Sequence, residues 1–240
     1  MTPRTSFLLR KAHSLTGVLP VGVFLVEHLW TNAKALGGQK AFDRAVLDIQ
    51  ALPFLPVIEV VGIFLPLAFH ALYGVYIATA AKPNAVTYGY ARNWLYVLQR
   101  VTGLMALVFI GYHLYEVRIQ KWLFGMRSEA FYGVLVAELS STVAGIPLVA
   151  LIYLIGILAT VFHFANGLWA FGMSWGITVS RAAQRRAGVV CGVIGLALFL
   201  LGAETVLYFA TGSRVLLLGS YVPFDGEVGG GKCGPPAGER

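Results

Sequence analysis

Apolar positions in this chain come as long runs, broken by short polar stretches, and neither strand alternation nor a soluble-helix stripe accounts for them. The runs cover about 14–33, 57–81, 95–117, 146–175 and 188–211. Each has about the 20 residues or more that a helix needs to cross the hydrocarbon of a bilayer. Backbone groups there must be satisfied within the segment, which leaves helices as the reading for runs of this length. The pattern therefore predicts an all-α integral membrane protein with five transmembrane helices. They form one domain, residues 1–211. Residues 212–240, with their GGG and GPP, are expected to be a flexible extracytoplasmic tail.

Composition agrees: mean hydropathy is +0.74, and 58% of the 240 residues are hydrophobic against 12% charged. A soluble domain carries about a quarter charged residues. With five spans, the N-terminus and the 81–94 and 176–187 connections share one side. With Arg100 at the edge of the third run, they hold Arg4, Arg10, Lys11, Lys82, Arg92, Arg181, Arg185 and Arg186, and no acid. Basic density in short loops sets orientation, acids counting for little. The N-terminus is thus expected in the cytoplasm and the C-terminus outside a bacterial cytoplasmic (inner) membrane. The net charge of +7 is read as a topology signal and not as a nucleic-acid one. Two cysteines, Cys191 and Cys233, fall short of the thiolates of an iron–sulfur cluster.

Against this background four histidines stand out: His28, His70, His113 and His163, one in each of the first four runs. An intramembrane imidazole is costly unless it faces the bundle interior and finds a partner. Four of them make two pairs, the ligand set of two bis-histidine haem sites. Single structural hydrogen-bonders are the plainer reading for any one of them, but a repeat ties the four together. Run one opens His13-Ser14-Leu15-Thr16-Gly17 and reaches His28; run three opens Gln99-Arg100-Val101-Thr102-Gly103 and reaches His113. Runs two and four carry Phe69-His70 with Gly74 and Phe162-His163 with Gly167. The first four helices therefore read as a haem-binding bundle of two repeated helical hairpins. The fifth has no histidine and no repeat mate.

Depth follows from a rise of 1.5 Å per residue. His28 lies roughly 25 Å beyond Lys11 and His113 roughly 20 Å beyond Arg100, both in the outer half of the membrane. His70, midway between Glu59 and Lys82, lies near the middle. The pairs are then an outer site, His28 with His113, and an inner site, His70 with His163. Gly74 and Gly167 follow their histidines by four residues on the same helix face, where a missing side chain would admit a macrocycle. Gly17 and its repeat mate Gly103 could face the inner haem in the same way; helix packing is the other use of such glycines. His13, Ser14 and Arg100 sit at the cytoplasmic edge, either as interfacial polar groups or as partners of the inner haem propionates. Glu204, in the last run, is expected to be solvated near the outer interface.

The segments HSLTGVLPVGVFLVEHLW, RNWLYVLQRVTGLMALVFIGYHLYEV and FHFANGLWAFGMSWGITVS resemble the di-haem cytochrome b anchor of succinate:quinone oxidoreductases, in its single-chain five-helix form. The resemblance covers about residues 5–210 and implies axial haem ligation by His28, His70, His113 and His163. It implies two haems b and partner iron–sulfur and flavoprotein subunits on the cytoplasmic face. Electrons from succinate would reach a quinone, expected to be menaquinone, through this membrane subunit. No succinate or flavin site is expected on the chain itself. Some fumarate reductases carry a glutamate two residues before the helix-four histidine; Val161 stands there, so that carboxylate is missing. An outer quinone site needs a proton-exchanging group, for which Asp48, Glu59 and Glu116 are the candidate acids; solvated loop positions are the other reading of each. A cytochrome b of the hydrogenase or formate dehydrogenase type is the nearest alternative, but its histidines are usually spread unevenly over the helices. A transporter or haem-handling protein would show broken helices around a midplane site.

Overall fold

The computed structural model describes residues 2–119, Leu123 and 131–216, and the tail segment beyond 216 lies outside them. Among the described residues, five helices are long and apolar enough to cross a membrane. In chain order they are α1 (Pro3–Gly37), α3 (Leu55–Thr79), α4 (Ala91–Ile119), α6 (Leu148–Ser174) and α7 (Arg181–Thr211). The short helices α2 (Gln39–Gln50) and α5 (Phe131–Leu139) lie between spans at the far end of the bundle, away from the N-terminus. The N-terminus marks the near end. The helices outrun the apolar stretches there because a helix needs only its own hydrogen bonds to continue past the hydrocarbon. Thr2 caps α1 through its hydroxyl and Ser180 caps α7, each accepting a first-turn N–H. Gly212, at φ 72°, closes α7 in the left-handed form, its N–H reaching the Tyr208 carbonyl at 2.8 Å.

Among the described residues, three spans depart from regular geometry. Pro20 interrupts α1 without ending it, since residues on both sides keep their i−4 bonds. Residues Ile58–Phe64 of α3 form a π-helix, in which Leu65 N–H bonds to Val60. A proline clashes with the carbonyl four residues back, and this wider turn lies just ahead of Pro66. A second π segment, Tyr115–Ile119, ends α4. The two are joined by an ion pair between Arg118 and Glu59.

Packing follows the hairpins. The first half of α1 lies on α3, α4 lies on α6, α1 also meets α6, and α7 packs chiefly on α6. Gly195 and Gly202 line the α6–α7 seam: a Cβ on them would press on Ala165 or Ile157. Much of the apolar surface faces outward, with Leu72, Val108 and Val193 well exposed, as a lipid-facing bundle requires. A core of buried residues lies at the far end, where Phe42 of α2, Tyr132 of α5, Tyr153 of α6 and Phe209 of α7 pack together. Glu204 corrects the sequence expectation: it is fully buried against this core. Its Oε2 accepts the Leu216 N–H at 2.7 Å, so the chain beyond α7 folds back over it. Arg214 meanwhile donates to the Leu36 carbonyl.

Candidate functional site

His70 on α3 and His163 on α6 face each other near the N-terminal end, ring centroids 6.1 Å apart and nearly perpendicular. Each Nδ1 points at a main-chain carbonyl 2.9 Å away, His70 at His13 and His163 at Gln99. A carbonyl only accepts, so Nδ1 carries the proton and Nε2 keeps its lone pair for a metal. His13 and Gln99 occupy the same position of the repeat. Four residues on stand Gly17 and Gly103, whose missing Cβ leaves each carbonyl open to a lateral donor. A Cβ on Gly17 would fall 2.3 Å from His70 Cε1, and one on Gly103 2.7 Å from His163 Cε1. The Thr-Gly pair of the repeat is therefore a notch that seats an imidazole. Gly74 and Gly167 make matching room for the side chains of His13 and Gln99.

The rim of this pair is polar. His13 stacks on His70 at 4.1 Å and 11°, and its own Nδ1 is buried without a hydrogen-bond partner. Arg100 lies over the Tyr96 ring and donates to the Tyr96 carbonyl at 2.8 Å; its Nε is buried and unpartnered. Ser14 accepts from the Trp175 indole at 2.9 Å, and Lys11 reaches Ser174 beside it. Gln99 is further tied to α6, donating to the His163 carbonyl and accepting from Asn166. The repeat marks Gln99 as the counterpart of His13, a signal that the histidine pattern alone passes over.

His28 on α1 and His113 on α4 form the second pair, centroids 5.6 Å apart at 72°. Here the surroundings are side chains. His113 Nδ1 lies 3.2 Å from the Tyr153 hydroxyl, and Phe109 lies alongside its ring. Asn32 donates to the His28 carbonyl at 2.8 Å. Tyr153 and Asn32 carry no motif, and nothing in the sequence singles them out.

The two couples, with centroids 6.1 and 5.6 Å apart, each bring together two imidazoles able to offer a nitrogen lone pair. Among the described residues no group of three histidine, cysteine or acidic side chains is arranged to hold a metal ion. Two imidazoles alone suit a metal whose other positions are filled by a macrocycle. The donor chemistry and the unpartnered His13 and Arg100 nitrogens at the rim thus fit haem.

The three acids lie towards the far end. Asp48 is exposed on α2, and Glu59 is paired with Arg118. Glu116 hydrogen-bonds to Glu138 of α5, whose carboxyl is pushed above the usual range by burial and then by the neighbouring Glu116 charge. Val161 is buried in the cluster with Leu29 and Leu198, a fully apolar setting.

The succinate dehydrogenase/fumarate reductase transmembrane-subunit family matches residues 78–202. The succinate dehydrogenase cytochrome b558 subunit of Bacillus subtilis (strain 168) is 44% identical over 209 residues, 87% of this chain and the whole of that protein.

Proposed function

The chain belongs to the succinate dehydrogenase/fumarate reductase transmembrane-subunit family, as its cytochrome b membrane subunit of a succinate dehydrogenase, and from that premise we propose that it holds two haems b at two depths. The observation that carries the reading is the pair of facing imidazole couples, at 6.1 and 5.6 Å. His70 and His163 would hold one group and His28 and His113 the other. Bound there, haem b supplies one-electron redox chemistry between an iron–sulfur partner and a quinone. Two sites are needed because the hydrocarbon core is about 30 Å thick.

The chain's own residues orient and shield. The His13 and Gln99 carbonyls fix two of the imidazoles by accepting hydrogen bonds from Nδ1–H. Arg100, His13 and Ser14 form the polar rim available to propionates. The near end, with basic short connections, is the cytoplasmic docking face for the iron–sulfur and flavoprotein subunits. Menaquinone is the quinone of this reading, with its site at the far end near Asp48, Glu59 and Glu116.

The test is haem content and redox titration of the purified complex. The expected result is two low-spin haems b per chain. His70→Ala or His163→Ala should remove one component and His28→Ala or His113→Ala the other. A ratio near one, or His28 and His70 variants deleting the same component, would overturn the proposal.

A further inference from the structure

The two imidazole couples are anchored by different chemistry. At the near end both Nδ1 groups meet main-chain carbonyls, bared because glycine stands four residues beyond each. At the far end the α6 residue that meets His113 is Tyr153, and Ile157 rather than a glycine stands four residues beyond it. The partner there is a side-chain oxygen, the Tyr153 hydroxyl, 3.2 Å from His113 Nδ1.

Tyr153 is only 5% exposed. Phe109 holds its ring edge-on at 5.3 Å, and the His113 ring meets it at 5.7 Å and 83°. Gly156, one turn on, lets Phe109 sit this close, since a Cβ there would fall 2.1 Å from the Phe109 ring. The hydroxyl is therefore locked in place, and its position is set by α6 packing on α4.

We propose that Tyr153 is the positioning residue of the far-end haem ligand, accepting a hydrogen bond from His113 Nδ1–H and so setting both the plane of that imidazole and the potential of its haem. The inference rests on the two-haem reading. When His113 binds a metal through Nε2, Nδ1 must carry the proton, which makes the phenolic oxygen the acceptor. An acceptor on Nδ1–H makes the imidazole a stronger donor and favours the oxidised metal. Removing it raises the potential. At the near end the acceptors for Nδ1–H are backbone carbonyls instead.

The experiment uses the assembled complex with Tyr153→Phe, which deletes the oxygen and keeps the ring. The component lost in His113→Ala should shift to a higher midpoint potential, and its low-spin ferric EPR signal should move, with the other component unchanged. A fluorotyrosine at the position, a weaker acceptor, should shift it less in the same direction. Tyr112→Phe, which alters a ring beside Tyr153 but not the His113 contact, should leave both potentials in place. Unchanged potentials and spectra in Tyr153→Phe would overturn the assignment, as would equal shifts of both haems, the mark of general loosening. If His113→Ala removes no separate component, the two-haem reading itself fails, whatever Tyr153→Phe shows.

Discussion

At the scale of single residues, the glycines of the repeat do a job that their sequence leaves open. Gly17 and Gly103 admit imidazoles, and the carbonyls they uncover are what orient them. A methyl group on Gly17 cannot be absorbed at 2.3 Å from His70 Cε1 without moving the ring. Gly17→Ala should therefore cost most of the near-end haem, and Gly103→Ala should act alike through His163. Gly111, with open space around its would-be Cβ, is the control expected to change nothing. Haem-to-chain ratio and redox titration give the readout; retention of both components in Gly17→Ala would mean that the ring does not need the notch. The histidines themselves were plain in the sequence, because an ionisable group in an apolar run is costly to keep without a partner or a ligand. Their hydrogen-bond partners were not, because a backbone carbonyl has no sequence signature.

At the scale of elements, the far end depends on polar groups clasped inside it. Glu204 takes the Leu216 N–H in a fully buried setting. Glu204→Ala leaves that donor without its acceptor, a loss of about 1–3 kcal/mol. The expected result is a lower unfolding temperature and faster proteolysis beyond α7, with Glu204→Gln much milder because its amide oxygen still accepts. Wild-type proteolysis in Glu204→Ala would show that the strap is held by Arg214 alone. Glu138 gives α5 a pH dependence. Burial and Glu116 raise its carboxyl in the folded chain, so the folded state favours the protonated form. Stability from this group is full below the ordinary glutamate range and is lost as pH rises through the raised value. Protection factors of the Phe131–Leu139 amides, with the intrinsic pH dependence of exchange removed, should fall over that interval in the wild type and stay level in Glu138→Gln.

At the scale of the whole molecule, the proposed orientation rests on asymmetry between the two ends. The near end has short connections and clustered bases; the far end has the short helices and the strap. In that orientation the other subunits of the complex are expected to crosslink to the near end, at the 81–94 and 176–187 connections. Removing residues 220–240 should leave assembly and succinate-to-quinone activity nearly intact. Crosslinks landing on the 34–56 segment would place the molecule the other way round.

Span number, helical class and the set of four histidines were determined by the sequence, since run length and the cost of buried charge are local properties. The repeat, too, is visible in a string of letters. What tertiary structure decided is direction around each helix. Rise per residue sets the depth of a side chain almost independently of its neighbours, but its azimuth depends on packing, on a proline at position 20 and on two π turns that break the 3.6-residue period. Glu204 turned inward, Glu59 met Arg118, and Tyr153 met His113 for that reason. Each of these contacts joins separate helices or folds one end of a helix back on itself, and only the packed bundle brings those surfaces together.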